Sequence, residues 1–397
     1  MPGDWREKKL GDVITLKRGY DLATAARRPG DVPIISSSGT SGFHDTAMVN
    51  GPGVVTGRYG TIGEVFYTDE NFWPLNTTLY VSDFKGSDPR FVSYYLKTLN
   101  FSAYSDKAAV PGINRNDLHE ALVLWPSHSE QIAIARVLAS LDAKIDLNRQ
   151  MSATLEDMAR ALFKSWFVDF DPVHAKAANR DTGLSADIAA LFPDGFDDVG
   201  LPRGWHRRSL YDFSNVIYGA PFASSRFNSN GIGLPLIRVR DLATHKPAIF
   251  TDEEHRAAHV IQPGDIVVGM DGEFRCHIWK GQPSYLNQRV CHFEPLGVTP
   301  ISFVALAVEA PLAQFERGAV GTTVIHLGKR DLDTVDLIGP GEALMEAFGR
   351  AADPLFTRSV AASQQFRQLE QLRDALLPKL LSGELRVNGA ADSIAAA

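Results

Sequence analysis

A stretch near the middle of the chain repeats its opening. Laid together, MPGDWREKKLGDV and LPRGWHRRSLYDF place Pro2, Trp5, Leu10 and Asp12 on Pro202, Trp205, Leu210 and Asp212, a constant shift of 200 residues. The correspondence continues in the same order. GPGVVTGRYG at 51–60 answers QPGDIVVGMDG at 262–272 with one inserted residue, and LNTTLYV at 75–81 answers LNQRVCH at 286–292. NRNDLHEALVLWPS at 114–127 then answers GKRDLDTVDLIGPG at 328–341. Ordered self-similarity over such a span marks duplication of a whole unit, so the fold has to be assembled from two copies.

Each copy changes character at its last proline. Before Pro126 and Pro340 the chain offers short runs such as VPIISSS, GVVTG and TTLYVSDF, or PLIRVR, DIVVGM and QRVCHFEP, bounded by Gly, Pro and Asn. These read as strands with turns. After it come long helical stretches. In the first, Ile134, Leu141, Leu155 and Leu162 keep a seven-residue step, joined by Leu138, Ile145 and Trp166, with Asn148 and Ser152 in the gaps. In the second, a shift of 214 gives Phe348, Leu355, Ala362, Leu369 and Leu376, joined by Phe366 and Leu380. The spacing is that of a coiled-coil seam. Forty helical residues span roughly 60 Å, more than one small domain needs. A whole domain lies between the two helices, so the simplest closed pairing is antiparallel. Asn148 either sets register within the seam or sits at a wet edge.

Composition restricts the function classes. With 44% apolar and 22% charged residues among 397, the chain is globular in character and long enough for two or three domains. Its opening is charged where a signal peptide needs an apolar run, and no stretch approaches the ~18 apolar residues of a membrane span. A cytoplasmic location without membrane contact is expected. Net charge is −7, yet residues 1–125 hold 13 Lys+Arg against 14 Asp+Glu, and residues 201–340 hold 14 against 14. Bulk charge therefore gives no sign of a nucleic-acid partner, and such a reading needs local evidence. The two cysteines, Cys276 and Cys291, cannot build a disulfide framework. Each precedes a histidine, but neighbours on a strand point to opposite faces, so neither pair converges on zinc. No metal site is expected.

Catalytic signatures are missing too. No GxxxxGK[ST] loop occurs, and the Asn/Asp-Pro-Pro-aromatic motif of an adenine methyltransferase is absent, DFDPVH having a single proline. The glycines at 51–63 precede EVFYTDENF, a strand and turn, so they form β-turns and not a phosphate cradle. No catalytic residue is assigned, and the chain reads as a non-enzyme.

The order of these parts resembles the DNA-specificity subunit of type I restriction-modification systems. GRYGTIGEVFYTDENFWPLNTTLYV at 57–81, AAVPGINRNDL at 108–118, WFVDFDPVHAKAANRDTGLSADIAALFPDGF at 166–196 and QLRDALLPKLLSGELRV at 371–387 carry the likeness, which covers essentially the whole chain. The resemblance implies an α+β protein with two β-rich target-recognition domains separated by two long antiparallel helices in a coiled coil, a pseudo-two-fold internal repeat. The expected limits are 1–125 for the first recognition domain, 126–170 for the first helix, 171–203 for a linker, 204–340 for the second domain, 341–384 for the second helix and 385–397 for a tail. It further implies that each domain reads one half of a bipartite site in double-stranded DNA. The helices set the gap and dock two methyltransferase (modification) subunits, and restriction and translocase subunits complete the complex. S-adenosylmethionine belongs to the methyltransferase, and no cofactor to this chain. The alternative is a coiled-coil scaffold whose two β-domains bind only proteins.

Candidate reading residues follow from groove chemistry. Arginine matches guanine, Asn and Gln match adenine, and short polar or aromatic groups meet methyl groups and sugars. In the first domain these are Ser37, Ser38, Arg58, Tyr59 and Thr61 on polar loops at strand ends, with Lys107 and Asn114 nearby. In the second they are Tyr218, Arg238, Arg240, Asp271, Glu273, Phe274, Arg275, Gln288 and Arg289. Arg238 and Arg240 alternate in LIRVR and share a strand face, so either reads DNA or pairs with Asp241 or Asp265. Leu141, Asn148, Leu155, Leu162, Trp166, Phe167, Leu355, Phe366, Leu369 and Leu376 are assigned to the coiled coil and partner interface. The run Trp166, Phe167, Phe170 either meets a partner or packs on the second helix's end. Trp5 and Trp205 read as core anchors.

Overall fold

A computed structural model describes residues 5–104, 112–318 and 326–387; Lys107 lies outside them. The protein is a mixed α+β structure of two compact units, residues 1–145 with 368–397 and residues 146–367.

In the first unit an antiparallel sheet runs in the order Thr15–Arg18, Thr78–Asp83, Gly53–Gly57, Val65–Thr68. The central strand GVVTG is buried throughout, which is why it reads as a continuous apolar run without alternation. Beside it lies a sheet of Gly39–His44, Val32–Ser36 and Trp73–Pro74. Arg6–Lys9 pairs with Leu122–Trp125, Arg6 opposite Trp125, closing the unit's beginning onto the strand before the long helix. Trp5 is buried and donates from Nε1 to Glu130 Oε2 at 2.9 Å. The helix Pro89–Lys97 starts where Asp88 accepts from Phe91 N at 2.8 Å and Pro89 supplies a first-turn φ.

The second unit repeats this strand order. Ser214–Tyr218, Val290–Pro295, Ile266–Gly269 and Cys276–Ile278 form its antiparallel four-stranded sheet, and His206–Ser209 pairs with Asp336–Gly339. The duplication reaches a detail invisible in composition. A Cβ on Gly19 would lie 2.2 Å from Leu75 O, and one on Gly219 would lie 2.0 Å from Asn287 O, so at both crossings only glycine lets the backbones touch. Cys276 and Cys291 both lie opposite Val268, on the two strands that flank it, and His277 and His292 both lie opposite Val267. Alternation thus divides each Cys-His pair between the faces of the sheet. Burial raises both thiols, Cys291 to about 12.

The long helices are His128–Phe163 and Glu342–Leu381, and each contributes to both units. Within the second unit, Phe163 meets Phe348 with ring centroids 6.0 Å apart, while Ser152 Oγ lies 2.9 Å from both Ser359 and Ser363 Oγ. Ascending one helix descends the other. Within the first unit Arg373 Nη1 binds Asp142 at 2.8 Å, and Tyr94 Oη donates to the same carboxylate at 2.6 Å. Much of the buried helix surface is small or polar, with Ala159, Ser359, Ala352 and Ser363 at 1% exposure or less. Leu141, Leu155, Leu162, Leu355, Phe366, Leu369 and Leu376 are each only partly buried.

Asn148 is 7% exposed. The backbone past Phe163 loosens into a π-helical turn, Lys164–Val168, which buries Trp166 and Phe167 against Phe348 at 5.8 and 4.9 Å between ring centroids. The aromatic run therefore packs on the second helix, with Phe170 against Trp205 at 5.7 Å. Within the expected linker, Asp171–Ala177 and Ala186–Ala189 are helical, and Val173 and Phe192 are buried in the same core as Trp205.

Candidate nucleic-acid interface

Four of the sequence candidates, Arg58, Tyr59, Asp271 and Arg289, belong to one construction that occurs once in each unit. In the first unit, the strand Gly53–Gly57 ends and the next two residues, Arg58 and Tyr59, both donate their backbone N–H to Thr77 O, at 2.8 and 3.2 Å. Ile113 N donates to Arg58 O at 3.0 Å, and Tyr59 forms an isolated antiparallel bridge with Gly112. In the second unit, Met270 N donates to Arg289 O at 2.9 Å, Leu327 N donates to Met270 O at 2.8 Å, and Asp271 bridges His326. The frames superpose Arg58 on Met270, Tyr59 on Asp271, Thr77 on Arg289 and Gly112 on His326, which moves the pairing of LNTTLYV with LNQRVCH by one residue, since that alignment set Thr77 on Gln288. The side chains do not match.

In the first frame the Arg58 guanidinium carbon lies 4.5 Å from the centroid of the Tyr59 ring, a cation–π contact. Tyr59 can lie there because position 112 has no side chain: a Cβ on Gly112 would sit 2.2 Å from Tyr59 Cε1. Gly112→Ala should therefore displace the ring and cost about 1–3 kcal/mol. Thermal unfolding of Gly112→Ala in wild-type and Tyr59→Ser backgrounds checks this, because the penalty should vanish once the ring is gone; an equal penalty in both would sink the steric account.

The second frame moves the bulk to the opposite side. Asp271 replaces the tyrosine and His326 the glycine. His326 Nδ1 lies 2.8 Å from Asp271 Oδ1, Arg289 Nε lies 3.4 Å from Asp271 Oδ2, and Arg289 Nη1 lies 3.2 Å from His326 Nδ1 and 3.5 Å from Nε2. A single ring nitrogen cannot take both neighbours as a neutral donor. The arrangement that satisfies all three groups has Nδ1–H donating to Asp271 and Nε2 accepting from Arg289.

The other candidates divide by environment. Ser37 lies at the turn between two strands and faces the Gly57–Gly60 loop: a Cβ on Gly60 would lie 3.3 Å from Ser37 Oγ. Ser38 is exposed, its Oγ 3.2 Å from Ser36 Oγ, and Thr61 is exposed in the same region. Asn114 caps the helix Arg115–His119, accepting from Asn116 N at 3.0 Å, which commits its side-chain oxygen. Arg240, Gln288, Glu273 and Arg275 are exposed, the last two paired at 3.3 Å.

Three candidates have structural employment instead. Phe274 is 2% exposed and belongs to the core. The Tyr218 hydroxyl is buried, and burial raises its pKa. Arg238 pairs with Asp241, Nε to Oδ2 at 3.1 Å, because the strand stops at Ile237 and Val239–Asp241 turns as a 3-10 helix that brings the carboxylate back. The shared strand face expected for Arg238 and Arg240 does not exist. Asp265 accepts from Gln262 N.

Thr77, Gly112 and His326 were not among the candidates. They could have been found: extending the match of NRNDL with GKRDL two residues upstream sets Gly112 against His326. Among the described residues no cluster of His, Cys, Asp and Glu could hold a metal, and no helix is long and apolar enough to cross a membrane.

Residues 2–157 match the family described as type I restriction modification DNA specificity domain. Over those residues the chain is similar to type I restriction-modification specificity subunits. It is 26% identical over 337 residues to the type I restriction enzyme HindI specificity subunit of Haemophilus influenzae, covering 71% of this chain and 73% of that one. It is 24% identical over 425 residues to the MjaIX specificity subunit of Methanocaldococcus jannaschii, covering 98% and 95%. Its fold is similar to that of the type I restriction-modification S subunit from M. genitalium, with a TM-score of 0.64 at 18% identity over 95% and 96% of the two chains. Within this chain the duplicated frame is where two copies of one backbone diverge in side chain.

Proposed function

We propose that each recognition domain reads one half of a bipartite double-stranded DNA sequence, and that the two long helices, paired as an antiparallel coiled coil in a pseudo-two-fold repeat, set the gap between the halves. One observation carries this reading: the same hydrogen-bonded backbone frame occurs in both units with unrelated side chains, as a protein reading two different half-sites requires. Two methyltransferase subunits dock around the helices and bring S-adenosylmethionine, restriction and translocase subunits add cleavage, and this chain supplies recognition without chemistry. The near-neutral charge of each domain fits an adaptor whose partners help to enclose the duplex.

The test is a map of methylated adenines in cells expressing this chain with its neighbouring methyltransferase, against cells with the methyltransferase alone. A split motif that depends on the chain is expected, and exchanging residues 204–340 for another specificity subunit's domain should change one half only. Absence of any chain-dependent motif despite a stable, active complex would overturn the assignment.

A further inference from the structure

We infer that the duplicated frame is the base-reading element itself, and that each copy presents one oriented arginine to a guanine: Arg58 in one half-site and Arg289 in the other. The inference rests on the bipartite reading above and names its chemistry.

Three observations lead there. First, the frames put their arginines at different positions of the same backbone, residue 58 on the end of the central strand and residue 289 on the segment that accepts from it. A merely structural arginine would recur in place. Second, each guanidinium is held by a neighbour and keeps N–H groups without a partner among the described residues. Tyr59 supports Arg58 from the ring face, and the Arg58 side chain makes no hydrogen bond among the described residues. Asp271 engages Arg289 through Nε and His326 lies at Nη1, leaving Nη2 without a partner among the described residues. Third, each frame pairs its own two supports, tyrosine with a glycine that leaves room for the ring and aspartate with a histidine whose Nδ1 lies 2.8 Å from its carboxylate.

A planar guanidinium held by its neighbours, with N–H groups still unpartnered among the described residues, can donate to the O6 and N7 acceptors of guanine in the major groove. Asp271 and His326 are then positioning residues for Arg289, and Tyr59 with Gly112 for Arg58. This reassigns Asp271, an acceptor that on groove chemistry alone would be set against cytosine.

The experiment uses the full chain assembled with its methyltransferase and measures Kd and methylation rate on the cognate duplex and on duplexes with every single base-pair change. Each half-site should contain a G·C pair at which Arg289→Ala, or Arg58→Ala, lowers discrimination about tenfold or more, each in its own half only. Asp271→Asn should weaken discrimination at the Arg289 position and at no other. Arg289→Lys should fail to restore it, because an ammonium lacks the fork. A phosphate contact would instead weaken all sequences alike and be rescued by lysine, and that result overturns the inference, as does an unchanged motif in both alanine variants. Both side chains are at least partly exposed, so either arm decides independently of folding in the other unit. If the wild-type complex shows no split motif, it is the bipartite reading that fails.

Discussion

Phe348→Ala should destabilise the second unit by about 3–5 kcal/mol, the range for emptying a buried aromatic site. Phe348 is 0% exposed and touches the rings of Phe163, Trp166 and Phe167. Those three come from the end of the first long helix and its π-turn, so one ring ties the two helices together. The surroundings are other aromatic rings held from several elements, which collapse poorly into a void. Phe366→Ala is the contrast. Phe366 is only half buried, with the Arg149 guanidinium 5.4 Å from its centroid, and its loss should cost about 1–2 kcal/mol from partial burial. Urea unfolding of the purified chain measures both. Equal losses would mean that Phe348 is not the joint between the helices.

The second large effect is on pH dependence. Desolvation lowers the pKa of His245 to about 3, helped by the neighbouring charges of His277, Lys280 and Arg367. Its ring packs 5.3 Å from Trp279 and 5.9 Å from His277. Nδ1 accepts from Lys280 N at 3.3 Å, which requires the unprotonated nitrogen. The unfolded chain takes up a proton near pH 6.5 and the folded one only near pH 3, so this stabilisation is complete above pH 6.5 and drains away as pH falls toward 3. The slope is about 1.4 kcal/mol per pH unit, or roughly 2–3 kcal/mol between pH 6.5 and 4.5.

His259 and His277 are shifted downward too, so the wild-type curve alone is not diagnostic. The difference from His245→Asn is. His245 has φ of 51°, a left-handed backbone that asparagine tolerates, and the amide cannot titrate in this range. Wild type should lose its advantage over the variant as the solution is acidified. Parallel curves from pH 7 to 4.5 would show that the ring is not desolvated in the native state.

A further tie between this region and the helices is polar throughout. Lys280 Nζ reaches Ser152 Oγ at 3.2 Å and pairs with Glu156, Ser359 Oγ donates to Glu156 at 2.6 Å, and Arg367 donates to the carbonyls of His245 and Thr244 at 2.7 and 3.1 Å. The heptad reading of residues 348–380 could not find it. Apolar periodicity weighs Leu and Phe, whereas the most buried helix positions here include Ser359, Ser363 and Ala352, whose small size lets backbones and a lysine from another element approach.

The sequence by itself determined that the chain is a duplicated unit, where its strands and long helices lie, and which loop, GRYGT against GMDGE, distinguishes the copies. These are properties of order and local pattern, carried by Trp5 and Trp205, by the strand punctuation, and by the shift of 200 to 214. Only the tertiary structure decided what each side chain does there. Arg238 is taken by Asp241 because a strand ended two residues early, Phe274 turned inward to the core, and His326 entered the site from a segment 55 residues beyond Asp271. Pattern along a chain reports which face of an element is apolar. Whether a guanidinium is occupied or open depends on partners brought from distant segments, and that is a property of packing alone.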